Sequence, residues 1–343
     1  MDEIKYTTPS EQIEKLKSQN MIIHNEIYAK EQLRQCGYSN LIKSYREPYT
    51  LISNEKKVYR SGISFEQIQS LYTLDKNLRN AVMGAMLDLE EHIKEAAADV
   101  VASSFGIHQN DYLQFKNYRD KSKRKSRFNL SGILETMRKT LQTDKNPIAH
   151  YSTVYGIVPP WILFKSIYFS TIVNFIHQFK PTEQQKMVQH LYSVNSQEIP
   201  DSALPKLMTD TLFICLEYRN LAAHGGRVYN YECNSKLRFT HNLHGFSLLL
   251  FLLSFFDYQA PYEILNKSLT EELNRHCNAF PEDITYLGQI LNVNITVSDN
   301  VWITGKSKKY HRNKHCSGIL NTQSLDLKEA ISQGYTPCKK CCK

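Results

Sequence analysis

Residues 64–106 read SFEQIQSLYTLDKNLRNAVMGAMLDLEEHIKEAAADVVASSFG, and this stretch decides the fold class. Ser64 offers an N-cap oxygen, Gln67 three residues later completes a capping box, and Gly106 is a natural stop. Between them Leu71, Leu74, Leu78, Val82 and Met86 recur at steps of three and four, which places them on one helical face. A stripe of this kind is core, so the stretch predicts one long helix lying against others.

The same periodicity extends outward. Upstream, Ser10 caps EQIEKLKSQN, and a second helix covers Ile27 to Gln35 before stopping at Cys36-Gly37-Tyr38. Downstream, helices are expected around Leu130 to Gln142, from Trp161 to Phe179 after Pro159-Pro160, and over 182–193, 201–224, 241–256 and 262–278. Before about residue 290 there is little β-pattern. Then the texture changes: NVNITVSDNVWITGKSKKYH carries β-branched and aromatic residues broken by turn signals, which predicts a strand pair. Leu325 to Gln333 reads as a helix ended by Gly334. The expectation is a mainly α protein, with a helical domain over 1–285 and a small α+β module over 286–343.

Composition narrows the class. The first residues, MDEIKYTTPSEQ, are polar and acidic, unlike a secretory signal. The most apolar run, Phe246 to Phe256, is too short for a bilayer, which takes about 20 apolar residues, and reads as a buried core helix. No membrane partner is expected. Of the 8 cysteines, Cys36, Cys215, Cys233 and Cys277 stand singly, while Cys316, Cys338, Cys341 and Cys342 crowd the tail. That spacing favours a metal site over a disulfide framework. The formal net charge of +8 is concentrated in two places, the segment 116–127 and the tail 306–343, leaving the remainder net acidic. In the first, Lys116, Arg119, Lys121, Lys123, Arg124, Lys125 and Arg127 are interleaved with, or preceded by, Tyr112, Phe115 and Tyr118. Cations among aromatics suit single-stranded RNA, though a solvated loop would carry the same charge.

One candidate site lies in TLFICLEYRNLAAHGGRVYN, residues 211–230. Leu212, Phe213, Leu216 and Leu221 mark a buried helical face, and Gly225-Gly226 should end the helix just after His224. Arg219, Asn220 and His224 are then left at its accessible end. Asn220 and His224 share a face, whereas Arg219 and His224 stand roughly 140° apart on an ideal helix, so they converge only if the last turn is distorted. An imidazole there can give a proton to a leaving oxygen, and a guanidinium beside it can hold a phosphate. The alternative is a capped helix end with Arg219 bridged to Glu217 or Glu91. Glu90, Glu91 and Lys94 of the long helix could also approach the site.

The second candidate is His-x4-Cys…Cys-x2-Cys, made by His311, Cys316, Cys338 and Cys341, with His315 and Cys342 as rival ligands one position away. Imidazole and thiolates in short-spaced pairs are what tetrahedral zinc requires, and four protein ligands make such a site structural. Lys308, Lys309, Lys314, Lys339 and Lys340 flank it and suit nucleic-acid contact.

Arg219 to His224 resemble the Arg-polar-x3-His signature of the HEPN superfamily. Most of residues 10–285 is similar to the Abi family of bacterial abortive-infection proteins (AbiD/AbiF type). The likeness runs through Cys36-Gly37-Tyr38, LYTLDKNLRNAVMGAMLDLEEHIKEA, NPIAHYSTVYGIVPPW and YRNLAAHGGRVYN. The chain departs from that family at Lys165, where an acid is common, and at Phe169-Ser170, where Phe-Gly is frequent. The tail resembles the metal-binding domain of the Ada repair protein. The resemblance implies a HEPN-like helical domain and a cytoplasmic bacterial endoribonuclease of a phage-defence or toxin–antitoxin system. Such an enzyme needs no metal for catalysis and leaves a 2′,3′-cyclic phosphate. It further implies His224 as acid–base group, Arg219 as phosphate clamp, Asn220 as positioner, a homodimer pairing two motifs, and a protein or RNA antitoxin. A non-catalytic RNA-binding sensor or scaffold with a structural zinc knuckle is the other reading.

Overall fold

The computed structural model describes residues 6–53, 56–121, 128–192, 200–234, 243–296, 300–305, 307–312, 316, 319 and 321–342. Two helices, α1 (Pro9–Ser18) and α2 (Glu26–Cys36), precede a hairpin of β1 (Thr50–Ser53) and β2 (Lys56–Tyr59). The long helix α3 (Phe65–Phe105) follows, then α4 (Gln109–Tyr112), α5 (Leu130–Leu141), α6 (Ile148–Tyr155), α7 (Pro160–Leu163) and α8 (Phe169–His177). Next come α9 (Pro181–Leu191), α10 (Leu204–Ala223), α11 (Gly245–Leu253), α12 (Ala260–Ala279) and α13 (Ile284–Leu291). The chain ends with β3 (Asn300–Thr304), β4 (Ser307–His311), β5 (Gln323–Asp326), α14 (Leu327–Ser332) and β6 (Thr336–Pro337). The fold is mainly α with a small α+β C-terminal part, as the periodicity predicts. By compactness the chain divides into two units, one of residues 1–78 with 269–343 and one of 79–268.

In the first unit, α1 is capped two residues earlier than Ser10. Thr8 accepts from Glu11 N, the Glu11 carboxylate takes Thr8 N, and Pro9 opens the helix. The capping box is T-x-x-E, not a lone serine. At α3, Gln67 N donates to Ser64 Oγ at 3.1 Å as expected, but the Gln67 amide donates to Asp283 Oδ1 at 3.1 Å. Asp283 is the polar centre of this unit. Its Oδ2 also accepts from Tyr49 Oη at 2.7 Å and meets His276 Nε2 at 2.8 Å, while His276 Nδ1 faces Ser70 Oγ at 2.9 Å. Both His276 and Asp283 are buried, and the carboxylate is tolerated because donors from three separate segments converge on it.

The C-terminal sheet has the order β5-β3-β4-β6, with β3 antiparallel to both β4 and β5 and β4 parallel to β6. Leu325 and Asp326 lie in β5, so α14 begins later than the sequence pattern suggests. Asp326 caps it through Lys328 N and Glu329 N.

In the second unit the apolar run forms α11, buried along nearly its whole length, as a core helix should be. It packs on α10, which also lies against α8 and α9. The helix expected over Trp161 to Phe179 is broken. After α7 and a 3-10 turn, Ile167 and Tyr168 are extended, which sends Ile167 into the core and leaves Tyr168 exposed. No described helix is long and apolar enough to cross a membrane.

Asp283→Ala should cost about 3 kcal/mol, because it leaves buried donors without an acceptor, whereas Tyr49→Phe should cost about 1 kcal/mol. Equal losses in urea unfolding would remove Asp283 from this central role. A second expectation concerns His177 at the end of α8, whose Nδ1 is buried without a partner and whose ring meets Phe213 edge-on. Burial, then the Lys121 charge, holds this imidazole below its usual range. The unfolded chain therefore takes up the proton first, near about pH 6.5, so stability is intact above that pH and falls as pH drops through the lower folded value. The thermal midpoint should fall more steeply on acidification in the wild type than in His177→Phe. Parallel slopes would refute it.

Candidate functional site

Helix α10 is buried through Leu207, Met208, Leu212, Ile214, Cys215 and Tyr218, and then ends abruptly. His224 is its C-cap and Gly225 takes φ +73°. Gly226 N donates to Leu221 O at 2.9 Å and Gly225 N to Ala222 O at 3.1 Å, the two bonds of a Schellman turn. Gly225 supplies the left-handed conformation. At Gly226 a Cβ would run into the Leu221 side chain, so both glycines are set by geometry. The helix thus ends where the sequence puts its end.

The three candidate residues sit on this end without internal ties. Among the described residues, no hydrogen bond or ion pair is made by the side chains of Arg219, Asn220 or His224. Arg219 Nε is buried and unpartnered, and His224 is exposed. The expected alternative, Arg219 bridged to Glu217, does not occur: Glu217 Oε2 accepts from Tyr231 Oη at 2.7 Å and Asn234 N at 2.8 Å. Sequence reasoning missed Arg79, which reaches the same turn from α3. Its Nη1 lies 3.2 Å from Gly225 O and 3.4 Å from Gly226 O.

Glu90 and Lys94 pair at 2.7 Å, both largely buried, and Lys165 meets Glu95 at 3.5 Å. With Leu87 and Glu91 these residues line a cavity of about 390 Å³. Glu90, Glu91 and Lys94 form no bond to Arg219, Asn220 or His224 among the described residues.

The basic segment is only partly described. Lys116, Arg119 and Lys121 are exposed, whereas Lys123, Arg124, Lys125 and Arg127 lie outside the described residues. Two of the three aromatics are turned away from any stacking role. Tyr112 and Tyr118 are core residues, Tyr112 Oη donating to Val158 O at 2.6 Å and Tyr118 Oη to Tyr112 O at 2.5 Å. Tyr118 packs on Phe105, Phe175 and Phe179, and of the three only Phe115 is exposed.

The four C-terminal ligands come together. His311 ends β4, and the parallel β4–β6 pairing brings Cys338 beside it, with Cys338 N donating to Tyr310 O at 3.0 Å. All donor atoms of His311, Cys316, Cys338 and Cys341 lie within 4.8 Å of one another. Cys316 and Cys338 sulfurs are 3.9 Å apart, and Cys341 Sγ is 3.5 Å from His311 Nδ1. A tetrahedral zinc shell places sulfurs about 3.8 Å apart and nitrogen about 3.6 Å from sulfur, so the donor set fits. Cys342 Sγ donates to Tyr310 O at 3.4 Å, while His315 lies outside the described residues. Burial pushes the Cys316 thiol up to about 12, and the neighbouring sulfurs add to it. Burial also raises Cys338, but amide donors from Lys340 and Cys341, together with the Cys341 and Cys316 thiols, outweigh it and hold this thiol below its ordinary value. Thiols crowded in this way ionise together only around a cation.

A mainly helical chain with an open Arg/Asn/His helix end, extended by a small sheet that gathers one His and three Cys, defines the class. The Abi-like protein family matches residues 31–230. The chain belongs to that family, which points to abortive infection, a form of phage defence. No curated protein matches the chain, and no solved structure does.

Cys338→Ser should abolish metal retention through gel filtration, whereas Cys342→Ser should keep it, with elemental analysis as the readout. Retention by the first variant, or loss by the second, would redraw the ligand set.

Proposed function

We propose that this protein is a metal-independent endoribonuclease of phage defence, cutting RNA at the end of α10. The observation that carries the reading is Arg219 Nε, a buried donor with no partner, at a helix end where His224 is exposed. An unsatisfied buried guanidinium nitrogen is costly in a resting protein and is relieved by an incoming anion. In the reaction the RNA 2′-hydroxyl loses its proton and bonds to the adjacent phosphorus. The P–O5′ bond breaks, a 2′,3′-cyclic phosphate is left, and protonated His224 donates to the departing 5′-oxygen. Arg219 offsets the charge gathering on the phosphate oxygens and Asn220 orients the phosphate. The proton from the 2′-hydroxyl goes to the same histidine of a second copy, so the working form is a homodimer in the bacterial cytoplasm. Such an activity is held silent by a protein or RNA antitoxin. Lys116, Arg119 and Lys121, continued in sequence by Lys123, Arg124, Lys125 and Arg127, attract the RNA backbone.

The tail cluster holds a structural zinc. His311, Cys316, Cys338 and Cys341 fill a tetrahedral shell and leave no position for substrate, so the ion stabilises the local fold. A second reading, an RNA-binding sensor that does not cut, is favoured by the exposed Lys308, Lys309, Lys339 and Lys340 around that cluster.

The test is incubation of folded, metal-loaded protein with end-labelled RNA in magnesium-free buffer. Cleavage leaving 2′,3′-cyclic phosphate ends is expected, falling at least about 10²-fold in His224→Ala and Arg219→Ala. Ends bearing 3′-hydroxyls would refute the mechanism. RNA bound but uncut would select the sensor.

A further inference from the structure

We infer that Arg79 is a positioning residue for this site, holding the Gly225–Gly226 turn so that His224 is presented in one orientation. The inference rests on the ribonuclease reading above. His224 stands at the point where α10 stops and its side chain is tied to nothing among the described residues, so its aim depends on the backbone beneath it. That backbone runs directly into two glycines, the residues with most conformational freedom. The turn's own bonds, Gly225 N to Ala222 O and Gly226 N to Leu221 O, attach it to the last turn of the same helix. They leave the glycine carbonyls to be held from elsewhere.

Arg79 holds both. Its Nη1 lies 3.2 Å from Gly225 O and 3.4 Å from Gly226 O, across a separation of nearly 150 residues in the chain. The hydrogen bonds are charge-assisted, and they bring a cation to the negative end of the α10 dipole. The donor itself comes from the middle of α3, between the buried Leu78 and Val82, and that burial fixes where its stem begins. Close packing leaves no slack on the other side, because a Cβ at Gly226 would strike Leu221. A helix end that would otherwise fray is thereby registered against a second helix. Arg79 closes LDKNLR, residues 74–79, whose final arginine the sequence alone gives no task.

The test compares wild type, Arg79→Ala and Arg79→Lys by amide exchange and by RNA cleavage, with rates expressed per folded molecule. In Arg79→Ala the Gly225 and Gly226 amides should exchange faster, and kcat should fall about 10²-fold with KM unchanged, as expected when a reacting group is misplaced. Arg79→Lys, which can reach a carbonyl with one ammonium, should recover part of kcat. A raised KM with a weaker salt dependence of RNA binding would make Arg79 an RNA contact and overturn the inference. So would unchanged glycine exchange, whatever the activity. A wild type that cuts no RNA overturns the ribonuclease reading and the positioning role with it, and is recognised by the silence of the unsubstituted protein.

Discussion

Along α3, Ile68, Leu71, Leu74, Leu78, Val82, Met86, Leu89, Ile93, Val100 and Val101 are all withdrawn from water. Each large aliphatic side chain contributes roughly 1.5–3 kcal/mol when buried, whereas a helix standing alone in water gains little from its own hydrogen bonds. A helix of 41 residues with such a face must therefore be covered along its length. Between Ile93 and Val100 the buried residues are small, Ala96, Ala97 and Ala98. There α9 lies alongside, with His190 Nε2 at 2.9 Å from Asp99 and Lys186 Nζ at 2.7 Å from Ser104.

Covering a helix with helices creates ends, and the candidate site is one of them. Most of α10 is locked into the core, so the position of its last turn is set by packing along the helix rather than by the exposed end itself. The end itself departs from this economy. Arg219 keeps a buried nitrogen unsatisfied, and Gly225-Gly226 replaces side-chain packing with backbone bonds. Rules of local satisfaction broken on a rigid support are expected at functional or strained sites.

The long helix and the end of α10 were legible because their signals are local: a three–four stripe, and a histidine followed by two glycines. The hairpin of β1 and β2 was not. Leu51 and Ile52 are exposed, so its short strands show no alternation of buried and exposed residues to read. The break at Ile167 was hidden because the flanking residues are apolar on both sides of it and would suit either a continuous or an interrupted helix. Tyr112 and Tyr118 misled for another reason. Their place among cations in the sequence says nothing of direction, and both point inward, each phenol finding a backbone carbonyl. Arg79 was invisible as a site residue because its partner glycines are brought to it only by the tertiary fold.

The metal cluster shows how far spacing can go and where it stops. Cys-x2-Cys after a proline turn, and His-x4-Cys starting at the end of β4, bring out the candidate donors with His315 and Cys342 as rivals. The choice between Cys341 and its neighbour Cys342 belongs to the turn. Cys342 N donates to Cys338 O at 3.0 Å and Lys340 N approaches Cys338 Sγ at 3.4 Å, which winds the segment so that Cys341 faces His311 while Cys342 faces the Tyr310 carbonyl. The two sulfurs stay 3.9 Å apart, so it is their partners that differ: Cys341 meets His311 and Cys342 meets backbone. Four side-chain donors complete a tetrahedron, and a complete shell leaves nothing for substrate to displace. The four donors therefore sit where a bound ion would tie a short sheet with little core of its own.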